Sequence, residues 1–156
     1  MYYVAGVCVV FNPELWQQNM DKQRRAREQG ITGPIEPINS QRFFFGHNND
    51  ISCLNIHPNR RFVVSGQQRA EGPAERAYVC IWDSDTCNQL QRIDHGEGDG
   101  QIVAACFSGD RSSGKGGDIL VTITGDDKHT IHVWKWMADG LKPLHKQVYL
   151  PGMQSK

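Results

Sequence analysis

Hydrophobic residues in this chain gather into short runs separated by glycine, proline and polar clusters, not into long stripes at helical spacing. That pattern predicts strands and tight turns. Residues 2–12 are crowded with Val, Tyr, Cys and Phe and read as two short strands, or one bent strand with Ala5-Gly6 at the bend. The exception follows at once. Asn12 is a helix cap, Pro13 suits the first helical position and Gly30 is a stop, so a polar, charged helix is predicted between them. Residues 31–40 carry Gly33-Pro34 and Pro37 and form a loop. Strand runs then recur at 41–45, 51–56, 61–65 and 78–83, with 41–45 expected to be the outer strand that pairs onto the sheet after it. A weaker second set runs through 102–107, 119–124, 130–136 and 141–150, interrupted by a Ser/Gly/Lys-rich insertion at 111–117.

The first set opens on Gly46-His47 and closes on Trp82-Asp83, with Ser65 between them. This is the signature of one four-stranded blade of a WD-type β-propeller. An indole N–H only donates, a hydroxyl donates and accepts, and an imidazole can do one of each. Trp82, Ser65 and His47 can therefore satisfy one another beneath the strands. The usual fourth member is an Asp before the Trp strand. Residues 67–77 contain none, so that link is expected to be missing or replaced. In the second set the indole is Trp134, the hydroxyl Thr124 or Thr122, and Asp126 or Asp127 fills the turn; Thr124 and Asp126 are the chosen candidates. Aligning Ile56 with Phe107 sets Gly98 opposite His47, which leaves this blade without a histidine. The predicted fold class is all-β: a WD40-type β-propeller fragment of about two four-stranded blades plus part of a preceding strand region, with a short helical insertion. A closed propeller takes about 4–8 blades. The chain is therefore expected to be part of a longer propeller chain, or one side of a larger assembly, and to be a poor monomer on its own.

The wording of the first blade is more specific than its fold. Phe45-Gly46-His47-Asn48-Asn49-Asp50-Ile51-Ser52-Cys53-Leu54-Asn55-Ile56-His57-Pro58, then Ser65-Gly66-Gln67, then Val79 to Thr86 with Leu90, resembles the first propeller blade of the echinoderm microtubule-associated protein-like family. Residues 2–12 are similar to the end of that family's hydrophobic "HELP" segment, which precedes this blade. On that resemblance the chain divides into a HELP-like end at 1–12, a helical and loop insertion at 13–40, blades at 41–93 and 94–150, and a tail at 151–156. The resemblance implies a non-catalytic scaffold that binds tubulin or microtubules, in the cytoplasmic cytoskeleton or a ciliary axoneme. It also implies a lengthened 67–77 loop, whereas the 13–40 insertion departs from the family. The alternative is a WD-repeat adaptor of some other multiprotein complex.

Composition adds mainly exclusions. Seventeen Lys and Arg balance seventeen Asp and Glu, so no global field steers the chain toward nucleic acid or an acidic membrane surface. The apolar run at 2–11 is too short to span a bilayer and lacks the basic flank of a signal peptide. Five cysteines form no Cys-x-x-Cys pair and read as small thiols, several buried in strands, so no metal site is expected. The glycines at 114–117 lack phosphate-loop spacing, the acidic 96–100 run lacks a calcium-ligand pattern, and no Ser or Cys sits in a nucleophile elbow. No catalytic residue and no cofactor is predicted. The local charge that stands out is basic: Lys22, Arg24, Arg25 and Arg27 on the helix, and Arg69 and Arg76 in the 67–77 loop, all six being candidate partner-binding residues expected to give a salt-sensitive contact if the partner is tubulin. The helical cluster reads either as a solvated face or as a contact for an acidic protein surface; it is too small for nucleic acid.

Overall fold

A computed structural model describes residues 1–69, 72, 76–96, 99–110, 112, 114–127 and 129–137, and the backbone of 145–146. Strands β1 (Tyr2–Val4) and β2 (Val7–Phe11) are antiparallel, and Ala5 takes the left-handed conformation (φ 49°) at the turn between them. Helix α1 (Pro13–Glu28) begins where Asn12 Oδ1 accepts from the backbone N–H groups of Glu14 and Leu15, and Gly30 (φ 69°) follows its last turn. Both ends follow from ordinary capping chemistry. Strand β3 (Gln41–Phe44) returns beside β2, with Phe11 opposite Gln41 and Cys8 opposite Phe44.

That pairing corrects one expectation. The 41–45 run does not lie on the sheet that follows it but completes a three-stranded sheet, β1-β2-β3. The physical reason is that the next sheet already has an outer strand. It consists of β4 (Ile51–Ile56), β5 (Phe62–Gln67), β6 (Tyr78–Asp83) and β7 (Gln89–Asp94), hydrogen-bonded in chain order. The third sheet repeats the second with β8 (Ile102–Phe107), β9 (Ile119–Thr124), β10 (Ile131–Lys135) and β11 (His145–Lys146). β11 falls inside the expected 141–150 strand, whose other residues lie outside the described ones. Both four-stranded sheets carry an irregularity in their first strand, at Ile51/Cys53 and Ile102/Ala104. Such a bulge accounts for the imperfect apolar alternation read from 51–56.

The sheets stack face to face. Cys8 and Phe44 of the first meet Val63, Tyr78, Cys80 and Trp82 of the second. The far side of the second sheet, with Val64, Val79, Ile81 and Ile93, meets Ile102, Leu120, Trp134 and Trp136. The second sheet therefore buries opposite faces against two neighbours, which is the packing of a propeller. Gly66 sits at the closest approach between the second and third sheets. A Cβ there would lie 2.5 Å from Ile102 Cγ2 and 2.8 Å from Cys53 Sγ. Gly66→Ala is accordingly expected to destabilise the protein by about 1–3 kcal/mol through overpacking, read as a lowered urea midpoint at unchanged slope. An unaltered midpoint would mean that the sheets can part without cost.

Candidate functional site

Beneath β5 and β6, Trp82 Nε1 donates to Ser65 Oγ at 3.1 Å, and Ser65 Oγ lies 2.6 Å from His47 Nε2. The ring's other nitrogen, Nδ1, is 2.9 Å from Gln67 Oε1, while Gln67 Nε2 donates to Asn48 Oδ1 at 2.7 Å. Since the amide oxygen only accepts, Nδ1 carries the proton and Nε2 accepts the Ser65 hydroxyl proton. Burial lowers the pKa of His47, which favours this neutral tautomer. Gln67 thus stands where an Asp was sought in the 67–77 loop. Tyr78 closes the chain: its hydroxyl donates to Gly46 O at 3.1 Å and accepts the Asn48 N–H at 3.1 Å.

The third sheet builds the same device with two departures from the sequence alignment. Trp134 Nε1 donates to Thr122 Oγ1 at 2.9 Å, not to Thr124. His95 Nε2 lies 2.8 Å from that same hydroxyl, so this blade does have its histidine. The alignment missed it because seven positions separate His95 from the start of β8, against four between His47 and β4. Thr124 instead donates to Asp126 Oδ1 at 2.9 Å, and Asp126 also takes the N–H and hydroxyl of Thr130. Burial would raise the Asp126 pKa, but these donors hold it down at about 2. Asp126 therefore pins the β9–β10 turn and makes no contact with the indole network. Beside His95 stands buried His132, whose ring centroid is 4.9 Å away and whose Nε2 is 3.5 Å from Asp99 Oδ2.

The basic positions do not form one patch. Asp50, next to the start of β4, accepts from Gln68 N, and Ile51 N donates to Ala5 O, so the loop holding Arg69 and Arg76 leaves the end of the strands where β1 turns into β2. Helix α1 departs from the opposite end of β2. There Asn12 N donates to Ser40 O, and the Arg42 guanidinium reaches Ser84 O beyond β6. Lys22, Arg24, Arg25 and Arg27 are all exposed on α1, where Arg24 pairs with Asp21 at 3.2 Å and Lys22 Nζ donates to Glu36 O at 3.0 Å. Arg69 and Arg76 are exposed as well. Met20 and Trp16 lie exposed about one and two turns before Arg24 on α1, a composition that sequence reading of charge alone overlooked.

Among the described residues no group of His, Cys, Asp or Glu is arranged to hold a metal ion. The glycines at 114–117 serve packing: a Cβ on Gly117 (φ 100°) would overlap the His57 ring, and Gly117 O accepts the Trp136 indole. His57 itself accepts from Asn59 N and packs among Phe62, Phe107 and Trp136. Cys8 and Cys80 are buried and Cys53 and Cys87 half-buried, whereas Cys106 is exposed. Burial pushes the Cys8 thiol up to about 11 and that of Cys80 up to about 12, which makes both unreactive. No helix among the described residues is long and apolar enough to cross a membrane.

No protein-family model matches the chain. Curated proteins do. Echinoderm microtubule-associated protein-like 1 of Rattus norvegicus is 30% identical over 142 residues, covering 89% of this chain and 14% of the relative. The 77 kDa echinoderm microtubule-associated protein of Strongylocentrotus purpuratus is 27% identical over 140 residues, covering 89% of this chain and 16% of its own length. Among solved structures, Chaetomium thermophilum Sqt1, a WD40 propeller protein crystallised with the N-terminus of the ribosomal protein L10, aligns with TM-score 0.50 and 21% identity. That alignment covers 67% of this chain and 26% of Sqt1, and it bears on the fold alone. The chain is a WD40-type propeller fragment related to the echinoderm microtubule-associated protein-like proteins, and it spans about one-seventh of the length of the first of these relatives.

Proposed function

We propose that the chain is a non-catalytic part of a WD-repeat scaffold that binds tubulin or microtubules, in the cytoplasmic cytoskeleton or a ciliary axoneme. One observation carries the reading: relatives named as microtubule-associated proteins match 89% of the chain. On this reading residues 1–12 are the end of a HELP-like segment, the blades expected at 41–93 and 94–150 have their four strands from β4 and from β8 onward, since 41–44 pair with 8–11, and further sheets of the propeller come from outside these 156 residues. The hydrogen-bonded networks around Trp82 and Trp134 hold the blades in register and leave recognition to the loops and the insertion. Helix α1 supplies the contact: Arg24, Arg25 and Arg27, with bare Trp16 and Met20, offer charge and apolar area to an acidic protein surface. Arg69 and Arg76, at the other end of the strands, do not share that contact.

Co-sedimentation with polymerised tubulin tests this. The protein is expected to pellet with the polymer. The triple substitution Arg24→Glu, Arg25→Glu, Arg27→Glu should weaken binding by at least about 1 kcal/mol at low salt and by less at moderate salt. The pair Arg69→Glu, Arg76→Glu should leave it unchanged. A protein that stays in the supernatant at low salt would refute the function. Binding that survives the triple change would refute the role of α1.

A further inference from the structure

Three tryptophans have structural places. Trp82, Trp134 and Trp136 are 0%, 4% and 4% exposed, and their indoles donate to Ser65, Thr122 and Gly117 O. Trp16 is 46% exposed, and Met20, about one turn further along α1, is 44% exposed. At 3.6 residues per turn, Trp16, Met20, Arg24 and Arg27 fall within about a quarter of the helix circumference. They line one open groove on α1, bordered by Asp21 and Glu28. Asp21 is taken up by Arg24, while the Arg27 guanidinium meets no carboxylate among the described residues. Arg25, about two and a half turns after Trp16, faces the opposite way. It lines a different groove with Lys22, Ile31 and Ile35, on the side where α1 is tied down: Lys22 Nζ donates to Glu36 O, and Asn19 Oδ1 accepts from Ile38 N. The basic cluster is thus divided between two sides of the helix, and the exposed indole and thioether belong to one of them.

We propose, resting on the microtubule-binding reading above, that Trp16 is the anchor of the α1 contact and that the partner surface it fits is an acidic one with an apolar side chain set beside its carboxylates. Trp16 and Met20 take the apolar side chain. Arg24 and Arg27, about 12–16 Å along the helix from Trp16 at 1.5 Å per residue, take the carboxylates. Two features of α1 select this partner. Trp and Arg side by side on an exposed surface are the residue types in which binding energy concentrates. A wholly acidic segment, by contrast, would leave Trp16 and Met20 in water and would have no reason to prefer one side of α1 to the other. The two halves of the contact also answer differently to salt, because ion pairs at an exposed surface are screened and apolar burial is not. Arg25, turned toward residues 31–36, contributes least.

Single substitutions read by co-sedimentation with polymerised tubulin, at low and at moderate salt, test the proposal. Trp16→Ala should weaken binding about tenfold at both salt concentrations. Trp16→Phe should recover most of that loss, since it returns an aromatic ring to the same place. Arg27→Glu should weaken binding severalfold at low salt and less at moderate salt. Arg25→Glu makes the same charge change on the other side of the helix and should alter binding by less than about twofold. Trp16, Arg25 and Arg27 are all exposed, so these variants keep the fold, and circular dichroism checks that they do. Binding of native strength by Trp16→Ala would overturn the proposal. So would a Trp16→Ala loss confined to low salt, which would make the partner a wholly acidic segment, and so would equal losses in Arg25→Glu and Arg27→Glu. A native protein that stays in the supernatant would refute the microtubule-binding reading, and the anchor with it; a native protein that pellets while Trp16→Ala pellets equally well refutes the anchor alone.

Discussion

Trp82→Ala is expected to cost about 3–5 kcal/mol, among the largest losses any single substitution can cause in this fold. The side chain is fully buried and does two separable jobs. Its ring lies flat on Phe44, with centroids 4.6 Å apart and planes 6° from parallel, and so joins the first sheet to the second. Its indole N–H satisfies Ser65, which in turn satisfies His47. Trp82→Phe keeps most of the stacking and removes only the donor, so its cost should be about 1–3 kcal/mol. Ser65→Ala should then add little on top of Trp82→Phe, because both remove the same hydrogen bond and the residues couple in a double-mutant cycle. Urea titrations of the four proteins supply the numbers. A Trp82→Phe loss under ~0.5 kcal/mol would mean that the polar chain carries no stability and the residue acts through area alone.

How much of this was legible beforehand depended on the kind of constraint. Asn12-Pro13 and Gly30 predict α1 because capping is a local matter of unpaired N–H groups and left-handed backbone, and the structure has the helix at Pro13–Glu28. The strand runs were legible through their apolar spacing, but the sheet to which each belongs was not. Nothing local to 41–45 tells it to pair with β2 in place of β4; that follows from where α1 returns the chain. Thr122 and Thr124 stand two positions apart on one strand and so share a face. Only the register, with Trp134 opposite Leu120 as Trp82 is opposite Val63, selects Thr122 as the partner of the indole. Gln67 was invisible for a different reason. An amide can accept and donate at once, and its taking the place of an acid depends on Asn48, which approaches it only in the fold and is itself bonded by Tyr78. His95 was hidden by three extra residues before β8, which shift Gly98 into the aligned position of His47.

His95 is also expected to make the protein sensitive to mild acid. It is 2% exposed, and burial first, then the neighbouring His132, lowers its pKa to about 4, against which Asp99 and Asp94 act only in part. The unfolded chain binds the proton with a pKa near 6.5. The neutral ring is therefore the form that the fold holds, accepting the Thr122 hydroxyl proton while Thr122 accepts the Trp134 indole. The sign follows from linkage: His95's share of stability is complete above about pH 6.5, falls as the pH drops from there to about 4, and changes no further below. Over that window the loss should reach about 3 kcal/mol. His47, lowered in the same direction by its burial, adds to the slope. Asp126, held at about 2, acts elsewhere, since its contribution is lost only between about pH 4 and 2. Urea midpoints measured from pH 7.5 to 4.5 should therefore decline steeply for the native sequence. In His95→Gln the amide oxygen offers Thr122 an acceptor but no group takes up a proton in this range, so stability at pH 7.5 drops through lost packing while the decline flattens by more than half. Parallel declines in the two proteins would place the acid sensitivity outside this blade and sink the account.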